Sequence, residues 1–184
     1  MATYLPPVER PQGLGMKLVF RFARRRFGRV LTPLAVFSAR MPLAFGSFYG
    51  KVSKLDRKLR LPERTVLLVR EQVASINRCL FCMDAARWFA SQKSPESVVA
   101  LDALPGYATS PLFTDAERAA LDYATELTRD RRVTPEAFAR LERHFSEREI
   151  CEIVWLVASE HLYNVSNVGL NIESDGLCEL RSAS

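Results

Sequence analysis

The 184-residue sequence contains no long apolar run and no export signal. A membrane-spanning helix needs about 18 consecutive apolar residues, but the most apolar early stretch, Val30–Phe37, is interrupted by Pro33. The Pro-rich, polar segment Met1–Gly13 has neither the apolar region nor the small-residue cleavage site of a signal peptide. We therefore expect a cytoplasmic protein.

Strand-like alternation of apolar and polar residues, hairpin turns, internal repeats and low-complexity tracts are also absent from the sequence. Apolar residues instead recur at helical spacing, and helix starts are marked by hydroxyl side chains at Thr114, Thr134 and Ser146. Two of these hydroxyls are followed three residues later by Glu117 and Glu149, which is the capping-box pattern. The sequence therefore predicts an all-α fold with a single domain.

The pattern of breaks and helix starts suggests how the chain is organised. Predicted helices cover Leu14–Phe27, Met41–Leu59, Pro62–Ile76, Cys79–Ser91 and a last helix from Glu147 to about Leu170. We expect four parts: a flexible N-terminal segment at 1–12, a basic helical arm at 13–60, a core at 61–172 and an irregular tail at 173–184.

Acidic residues are scarce in the first third of the chain. Residues 1–60 carry 13 Lys and Arg against only Glu9 and Asp56, whereas residues 61–184 have a net charge of −6. The five arginines of Arg21–Arg29 lie beside two phenylalanines, a composition that can bind nucleic acid or an anionic membrane. No nucleic-acid-binding motif accompanies them, and a solvated helix face, or pairing with the acidic half of another subunit, accounts for the same pattern. We favour no nucleic-acid or membrane partner.

Only four cysteines are present, and only Cys79 and Cys82 are close in sequence. A structural zinc site needs four ligands, usually including a second close pair of ligands. The remaining cysteines and histidines form no such pair, so no metal is predicted. Cys79 falls at the start of a predicted helix, where free N–H groups stabilise a thiolate. Cys82 follows one turn later, so the two sulfurs can form a disulfide. The pair favours redox chemistry; half of a zinc site or a pair without a catalytic role remain the alternatives.

Two blocks of the sequence resemble a known family. The run Val66–Phe89, VLLVREQVASINRCLFCMDAARWF, is similar to the active-site segment of the carboxymuconolactone decarboxylase and alkylhydroperoxidase D (AhpD-like) family. The stretch Phe113–Asn171 is similar as well, with ERAALDYATELT and HFSEREI as its distinctive parts, and so is SDGLC near the tail. Together the two blocks cover about half of the chain, in the order the family has them.

The resemblance implies an all-helical, AhpD-like bundle with the CxxC at a helix N-terminus, in a fold that usually assembles as a homo-oligomer, often a trimer or hexamer. In redox-active members the second cysteine, here Cys82, attacks a hydroperoxide and the first, here Cys79, resolves the product. The family motif adds a Glu twelve residues before the first cysteine and a His four residues after the second. This sequence has Leu67 and Ala86 at those positions, so the usual proton relay is missing.

Two other residues are candidates for that relay. Glu71 lies one helical turn after Leu67, although a solvated carboxylate on an exposed helix edge fits the same pattern. His161 lies in the long last helix, in a polar stripe with Asn164 and Asn167 that needs buried partners. In the resembling family this helix packs near the cysteines, so His161 can serve as a general base. The alternative is a hydrogen-bonded core or interface histidine.

The predicted function is therefore a thiol-dependent peroxidase or thiol–disulfide oxidoreductase, with Cys82, Cys79, His161 and Glu71 as its site and no cofactor. Its expected partners are a hydroperoxide substrate, a dithiol reductant protein or small thiol, and further copies of the chain. One alternative is a carboxymuconolactone-decarboxylase-like lyase acting on a small acid, which would need arginines rather than a dithiol. The other is a non-catalytic family member with a basic interaction arm.

Overall fold

The computed structural model describes residues 2–178, without the side chain of Phe48. Over these residues the backbone forms helices and turns but no strand, which confirms the predicted all-α class. The α-helices in chain order are α1 (Leu14–Phe27), α2 (Gly50–Asp56), α3 (Glu63–Ile76), α4 (Leu80–Lys93), α5 (Pro95–Ala103), α6 (Asp115–Asp130), α7 (Pro135–Glu142) and α8 (Glu147–Val168). Where a single helix was predicted over Met41–Leu59, a π-helical segment at Ala44–Tyr49 precedes the short α2.

The helix starts predicted from hydroxyl side chains are confirmed. Thr114 and Ser146 each accept a hydrogen bond from the backbone of the glutamate three residues on, and that glutamate side chain accepts one from the backbone of the capping residue. Thr134 accepts a hydrogen bond from the backbone N–H of Ala137. These local bonds satisfy N–H groups that have no partner within the helix, so they set the starts of α6, α7 and α8.

Helix α3 lies at the centre of the fold and packs against α4, α6 and α8. Val69 and Val73 on one side of α3 are fully buried in a core that includes Ile153 and Leu156 of α8. Leu68 on another side is buried in a second apolar cluster, which includes residues of α4, α5 and α6. Because α3 packs against other helices on several sides, the position of its C-terminal end is fixed by these contacts. Helix α4 begins directly after that end.

The basic arm packs against its own core through α1. Phe20 of α1 is buried inside the arm itself, in a cluster with Ala35, whereas the C-terminal end of α1 contacts α4. The Phe27 ring lies 5.1 Å from that of Trp88 in α4, and the guanidinium of Arg26 lies 4.5 Å above the same indole. Aromatic and cation–π contacts of this kind favour a fixed orientation of two elements. The arm therefore has an intramolecular docking site on α4.

The two terminal segments also contact the helices. The backbone N–H of Val8 donates to the carbonyl of Ala35, and that of Tyr4 donates to Leu170. Residues 173–178 contain no helix. Met1 and residues 179–184, which belong to the predicted N-terminal segment and tail, lie outside the described residues. The four-part division of the chain stays a prediction.

None of the helices formed by residues 2–178 combines the length and the apolar character that crossing a bilayer requires.

Candidate functional site

The two cysteines of the CxxC pair lie at the start of α4. Cys79 is the N-cap residue of this helix and Cys82 lies in its first turn, with a Cα–Cα distance of 5.3 Å. The two sulfurs are joined in a disulfide. The N-terminal end of α4 carries the N–H groups and the positive end of the helix dipole, which favour a thiolate at Cys82 once the pair is reduced.

The backbone between α3 and α4 places the cysteines there. The N–H of Cys79 donates to the carbonyl of Ala74 at 3.0 Å, and the N–H of Arg78 donates to Ser75 at 3.0 Å. This is the Schellman arrangement that ends a helix, with Arg78 in the left-handed conformation at φ 56°. Cys79 therefore closes α3 and caps α4 at the same time, which leaves little freedom in the direction of the first turn of α4.

A cavity of about 590 Å³ extends from Cys82 between the arm and the core. Most of its wall is apolar, and the aromatic residues in it are Phe37, Phe45, Tyr49, Phe81, Phe89 and Tyr163. The first three of these belong to the arm, so residues 13–60 supply one side of the cavity. The volume is in the range of small-molecule sites.

The cavity reaches only one of the two sulfurs. Cys82 is part of its wall, whereas Cys79 is absent from it and has an exposed fraction of 0%. The amide of Asn167 on α8 donates to Cys82 Sγ at 3.4 Å and to Cys79 Sγ at 3.6 Å. A molecule that enters the cavity would therefore contact Cys82 rather than Cys79, and the amide of Asn167 can stabilise negative charge on the Cys82 sulfur.

A charged cluster forms the polar part of the cavity wall. The Arg70 guanidinium donates to Glu160 at 2.8 Å and to Asp56 at 2.7 Å, and the indole N–H of Trp155 donates to Asp56 at 3.0 Å. Burial raises the pKa of Glu160, although Arg70 and a hydrogen bond from Asn164 oppose the rise. Arg70 is thus neutralised by two carboxylates. It is not a free cation for an acidic ligand.

Glu71 is buried rather than exposed. Its exposed fraction is 4%, and its Oε2 atom has no hydrogen-bond partner. Burial raises its pKa from 4.5 to about 7, with Arg87 lowering it and Glu160 raising it further. The alternative that Glu71 is a solvated carboxylate on an exposed edge of its helix was wrong. Other helices enclose α3, and the residue pattern of α3 by itself does not reveal this. Glu71 is not in the cavity wall. Among the described residues, it forms no hydrogen bond to the sulfur of Cys79 or of Cys82.

His161 faces away from the cysteines. Its Nδ1 lies 2.9 Å from the side-chain amide of Asn77, and its Nε2 lies 2.7 Å from Arg131. Burial, with Arg131 as the second cause, lowers its pKa. The Asn77 amide also donates to Asn164 at 2.9 Å, and Asn164 donates to Glu160 at 2.8 Å. His161 is therefore linked to the cavity wall only through two asparagines, and the relay roles of His161 and Glu71 stay predictions.

The two positions that depart from the family motif do lie in the cavity wall. Leu67 and Ala86 line it together with Cys82. Four polar residues of α8 that carried no separate site prediction also belong to the wall: Glu160, Tyr163, Ser166 and Asn167. The sequence signal for them was the polar stripe along an otherwise apolar helix. Which of its members face the cysteines depends on the packing of α8 against α3 and α4.

A second and larger cavity, of about 1070 Å³, lies between residues 7–13 and α1. Its lining residues include Glu9, Arg10, Lys17 and Arg24 but none of the cysteines. Among residues 2–178, no group of three or more His, Cys, Asp and Glu side chains is arranged to hold a metal ion. The cavity at Cys82 is therefore the candidate site.

The chain is similar in sequence to a curated bacterial protein, although not to a protein-family model. No protein-family model matches the chain. The uncharacterized protein YnjA of Escherichia coli K12 is 32% identical over 164 residues, which cover 85% of this chain and 86% of YnjA.

Several solved structures have a similar fold, two of which illustrate the range of described activities. The debrominase Bmp8 in complex with 2,3,4-tribromopyrrole gives a TM-score of 0.80 at 21% identity, covering 99% of this chain and 96% of Bmp8. A peroxidase-related protein from Ralstonia eutropha JMP134, described as an alkylhydroperoxidase AhpD core, gives 0.77 at 19% identity, covering 97% and 94%. These findings confirm the resemblance seen in the sequence. The chain belongs to the family of YnjA and has the AhpD-like fold.

Proposed function

We propose that the chain is a dithiol oxidoreductase that reduces small organic hydroperoxides at Cys82. The observation that carries the proposal is the unequal access to the two sulfurs: the cavity reaches Cys82 and leaves Cys79 buried behind it. That arrangement suits an attacking thiol and a resolving thiol. The disulfide between them is the product that such a reaction leaves.

The reaction balances with these two residues. The Cys82 thiolate attacks the outer oxygen of the hydroperoxide, the O–O bond breaks, and the alcohol leaves with one proton. Cys79 then attacks the sulfenic acid on Cys82, so that the disulfide forms and water is released. An external dithiol supplies the two electrons and two protons that reduce the disulfide again. The amide of Asn167 donates to both sulfurs of the disulfide that these steps produce.

A second candidate reaction, reductive dehalogenation of an aromatic compound, is favoured by two observations. The cavity wall is rich in aromatic side chains, and the similar fold of Bmp8 belongs to a debrominase bound to a brominated pyrrole. Here the Cys82 thiolate attacks the halogen, and the ring carbon keeps the bonding electrons and takes up a proton. Cys79 then displaces halide from the sulfur, and the same disulfide forms.

The cavity gives less support to the decarboxylase-like alternative. Arg70 and Lys93 are the cationic side chains of its wall among the described residues. Arg70 is paired with Asp56 and Glu160, and Lys93 is paired with Glu63. An acid substrate would have to compete with these carboxylates, so an uncharged substrate fits the wall better.

The test is single-turnover reduction of two substrates, cumene hydroperoxide and 2,3,4-tribromopyrrole, by the pre-reduced protein. We expect one of them to be consumed with loss of two thiols per chain. Cys82→Ser should abolish this reaction, and Cys79→Ser should stop at a Cys82 adduct that contains no disulfide. Cys151→Ser, at a free and exposed cysteine, is the matched control and should react like the wild type. Reaction that persists in Cys82→Ser would show that the proposed function is wrong.

A further inference from the structure

Both proposed reactions need a proton at the group that leaves, and the usual motif residues do not provide it. When Cys82 takes the outer oxygen of a hydroperoxide, the remaining alkoxide must be protonated; in a dehalogenation the ring carbon must be. The motif positions for Glu and His are Leu67 and Ala86, and both line the cavity with apolar side chains. A proton donor supplied by the protein has to be another polar group in the same wall.

Most polar groups of the wall are already engaged. Arg70 donates to two carboxylates and Lys93 to Glu63. Both oxygens of Glu160 accept hydrogen bonds, from Arg70 and from Asn164. The hydroxyl of Ser166 donates to the carbonyl of Leu162. Ser38 and Ser53 also line the cavity, but an aliphatic hydroxyl is a much weaker acid than a phenol.

Tyr163 differs from these groups. It lies on α8 one turn after Glu160, lines the cavity, and packs against the cluster formed by Ala74, Cys79 and Cys82. Its ring stacks on that of Tyr49 with a centroid distance of 5.1 Å, so the ring plane is held. Among the described residues, its hydroxyl makes no hydrogen bond, which leaves it free to donate to a bound molecule.

Burial, more than the neighbouring charges, keeps the proton on Tyr163 until a stronger base forms. Burial raises the pKa of Tyr163 to about 12; Arg70 lowers it, and Asp56, Glu160 and Tyr49 raise it. The phenol is therefore fully protonated at neutral pH. An alkoxide or a ring carbanion is more basic than this phenolate, so transfer from Tyr163 to either of them is downhill.

We propose that Tyr163 is the general acid of the site: its hydroxyl proton goes to the leaving oxygen or to the ring carbon as Cys82 takes the other atom. This inference rests on the proposed function. After the transfer, water entering the open cavity returns a proton to the phenolate. In this chain a phenol on α8 thus supplies the leaving-group proton in a cavity where the motif positions on α3 and α4 carry apolar side chains.

Tyr163→Phe tests the proposal because it keeps the ring and removes only the hydroxyl. We expect oxidation of the reduced protein by cumene hydroperoxide to slow by about 100-fold. Alkylation of Cys82 by iodoacetamide requires no proton donor, so its rate should stay as in the wild type. Tyr123→Phe is the control, since this tyrosine lies in the main core and outside the cavity.

A second oxidant separates proton donation from a packing effect. Peracetic acid releases acetate, which needs no proton to leave, so Tyr163→Phe should react with it at nearly the wild-type rate. Equal slowing with both oxidants, or no slowing with either, overturns the role of Tyr163. Those outcomes are distinct from failure of the proposed function, which is measured separately by turnover in Cys82→Ser.

Discussion

A carboxylate such as Glu71 resists ionisation when the surrounding side chains exclude water and offer no hydrogen bond to one of its oxygens. Its pKa is raised from 4.5 to about 7, mainly by burial. Between these two pH values the native chain binds this proton more tightly than the unfolded chain. The contribution to stability is therefore complete below pH 4.5 and is lost as the pH rises through 7.

Glu71→Gln should remove this pH dependence because the amide does not titrate. Relative to Glu71→Gln, the free energy of unfolding of the wild type should fall by about 3 kcal/mol between pH 4.5 and pH 8. Urea unfolding of both proteins across this range measures the difference. Parallel stability curves would mean that Glu71 ionises normally.

The relay roles predicted for Glu71 and His161 need a different measurement. The rate of Cys82 alkylation as a function of pH, in Glu71→Gln and in His161→Ala, tests them.

Among the described residues, Asn167 is the one whose side chain donates a hydrogen bond to the sulfur of Cys82, which faces the cavity. In the reduced protein that bond favours the thiolate over the thiol. Asn167→Ala should therefore move the midpoint of pH-dependent Cys82 alkylation upward by about one pH unit. Asn171→Ala is the matched control, since its amide donates to the backbone of Ala2. An unchanged midpoint in Asn167→Ala would assign the amide to packing alone.

At the scale of elements, the turn between α3 and α4 is the decisive feature. Arg78 adopts a left-handed conformation there, with φ 56°, and the hydrogen bonds on either side of it end one helix and start the next. Glycine is the usual residue at such a position because it has no Cβ. The chain thus places a strained arginine directly before Cys79.

Substitutions at Arg78 should follow the cost of this backbone conformation. Arg78→Val should lower the free energy of unfolding by about 1 to 2 kcal/mol, because a β-branched residue tolerates the left-handed region poorly. Arg78→Gly, the matched control, should not destabilise the protein. Chemical denaturation of both variants gives the comparison. Equal stability of the valine and glycine variants would show that the turn relaxes when the arginine is replaced.

Helix α8 contributes to the site through its spacing. Glu160, Tyr163 and Asn167 are three and four residues apart, so they share one face of the helix. The capping box at Ser146 sets the start of α8, and its apolar residues Ile153 and Leu156 fix its rotation against α3. Together these features decide that the polar face is directed to the cavity, while His161 is directed to Asn77 and Arg131.

At the scale of the whole molecule, residues far apart in sequence close the structure around the cavity. The carboxylate of Asp175, near the C-terminal end, accepts hydrogen bonds from the backbone N–H and the hydroxyl of Thr32 and forms an ion pair with Arg29. Asp84 in α4 accepts hydrogen bonds from the backbone N–H groups of Leu177 and Cys178. The described part of the tail thus connects the arm to α4.

Asp175→Ala should lower the free energy of unfolding by about 2 kcal/mol, because its side chain is buried and its partners would lose a charged acceptor. Asp102→Ala is the control, since this carboxylate is exposed and its ion pair with Arg87 lies at the surface. The control should change stability by less than about 0.5 kcal/mol. Thermal or urea unfolding measures both. Equal effects would show that the connection through Asp175 adds no stability.

The amino-acid sequence by itself determined most of the helices, their hydroxyl-capped starts and the position of the CxxC pair, whereas the single helix predicted over Met41–Leu59 is divided in the structure. These features depend on neighbours within a few residues: the hydroxyl caps at Thr114, Thr134 and Ser146, the apolar spacing of α3, and the location of Cys79 at a helix start. The family was also evident from the sequence, because its motif blocks are local.

The tertiary structure alone decided which side chains meet at Cys82. The aromatic side of the cavity comes from Phe37, Phe45 and Tyr49, more than 30 residues before Cys82, and Tyr163 and Asn167 come from more than 80 residues after it. Contacts over such separations depend on how whole helices pack, and helical periodicity states only that a face is polar or apolar. For the same reason the burial of Glu71 and the orientation of His161 could not be obtained from the sequence.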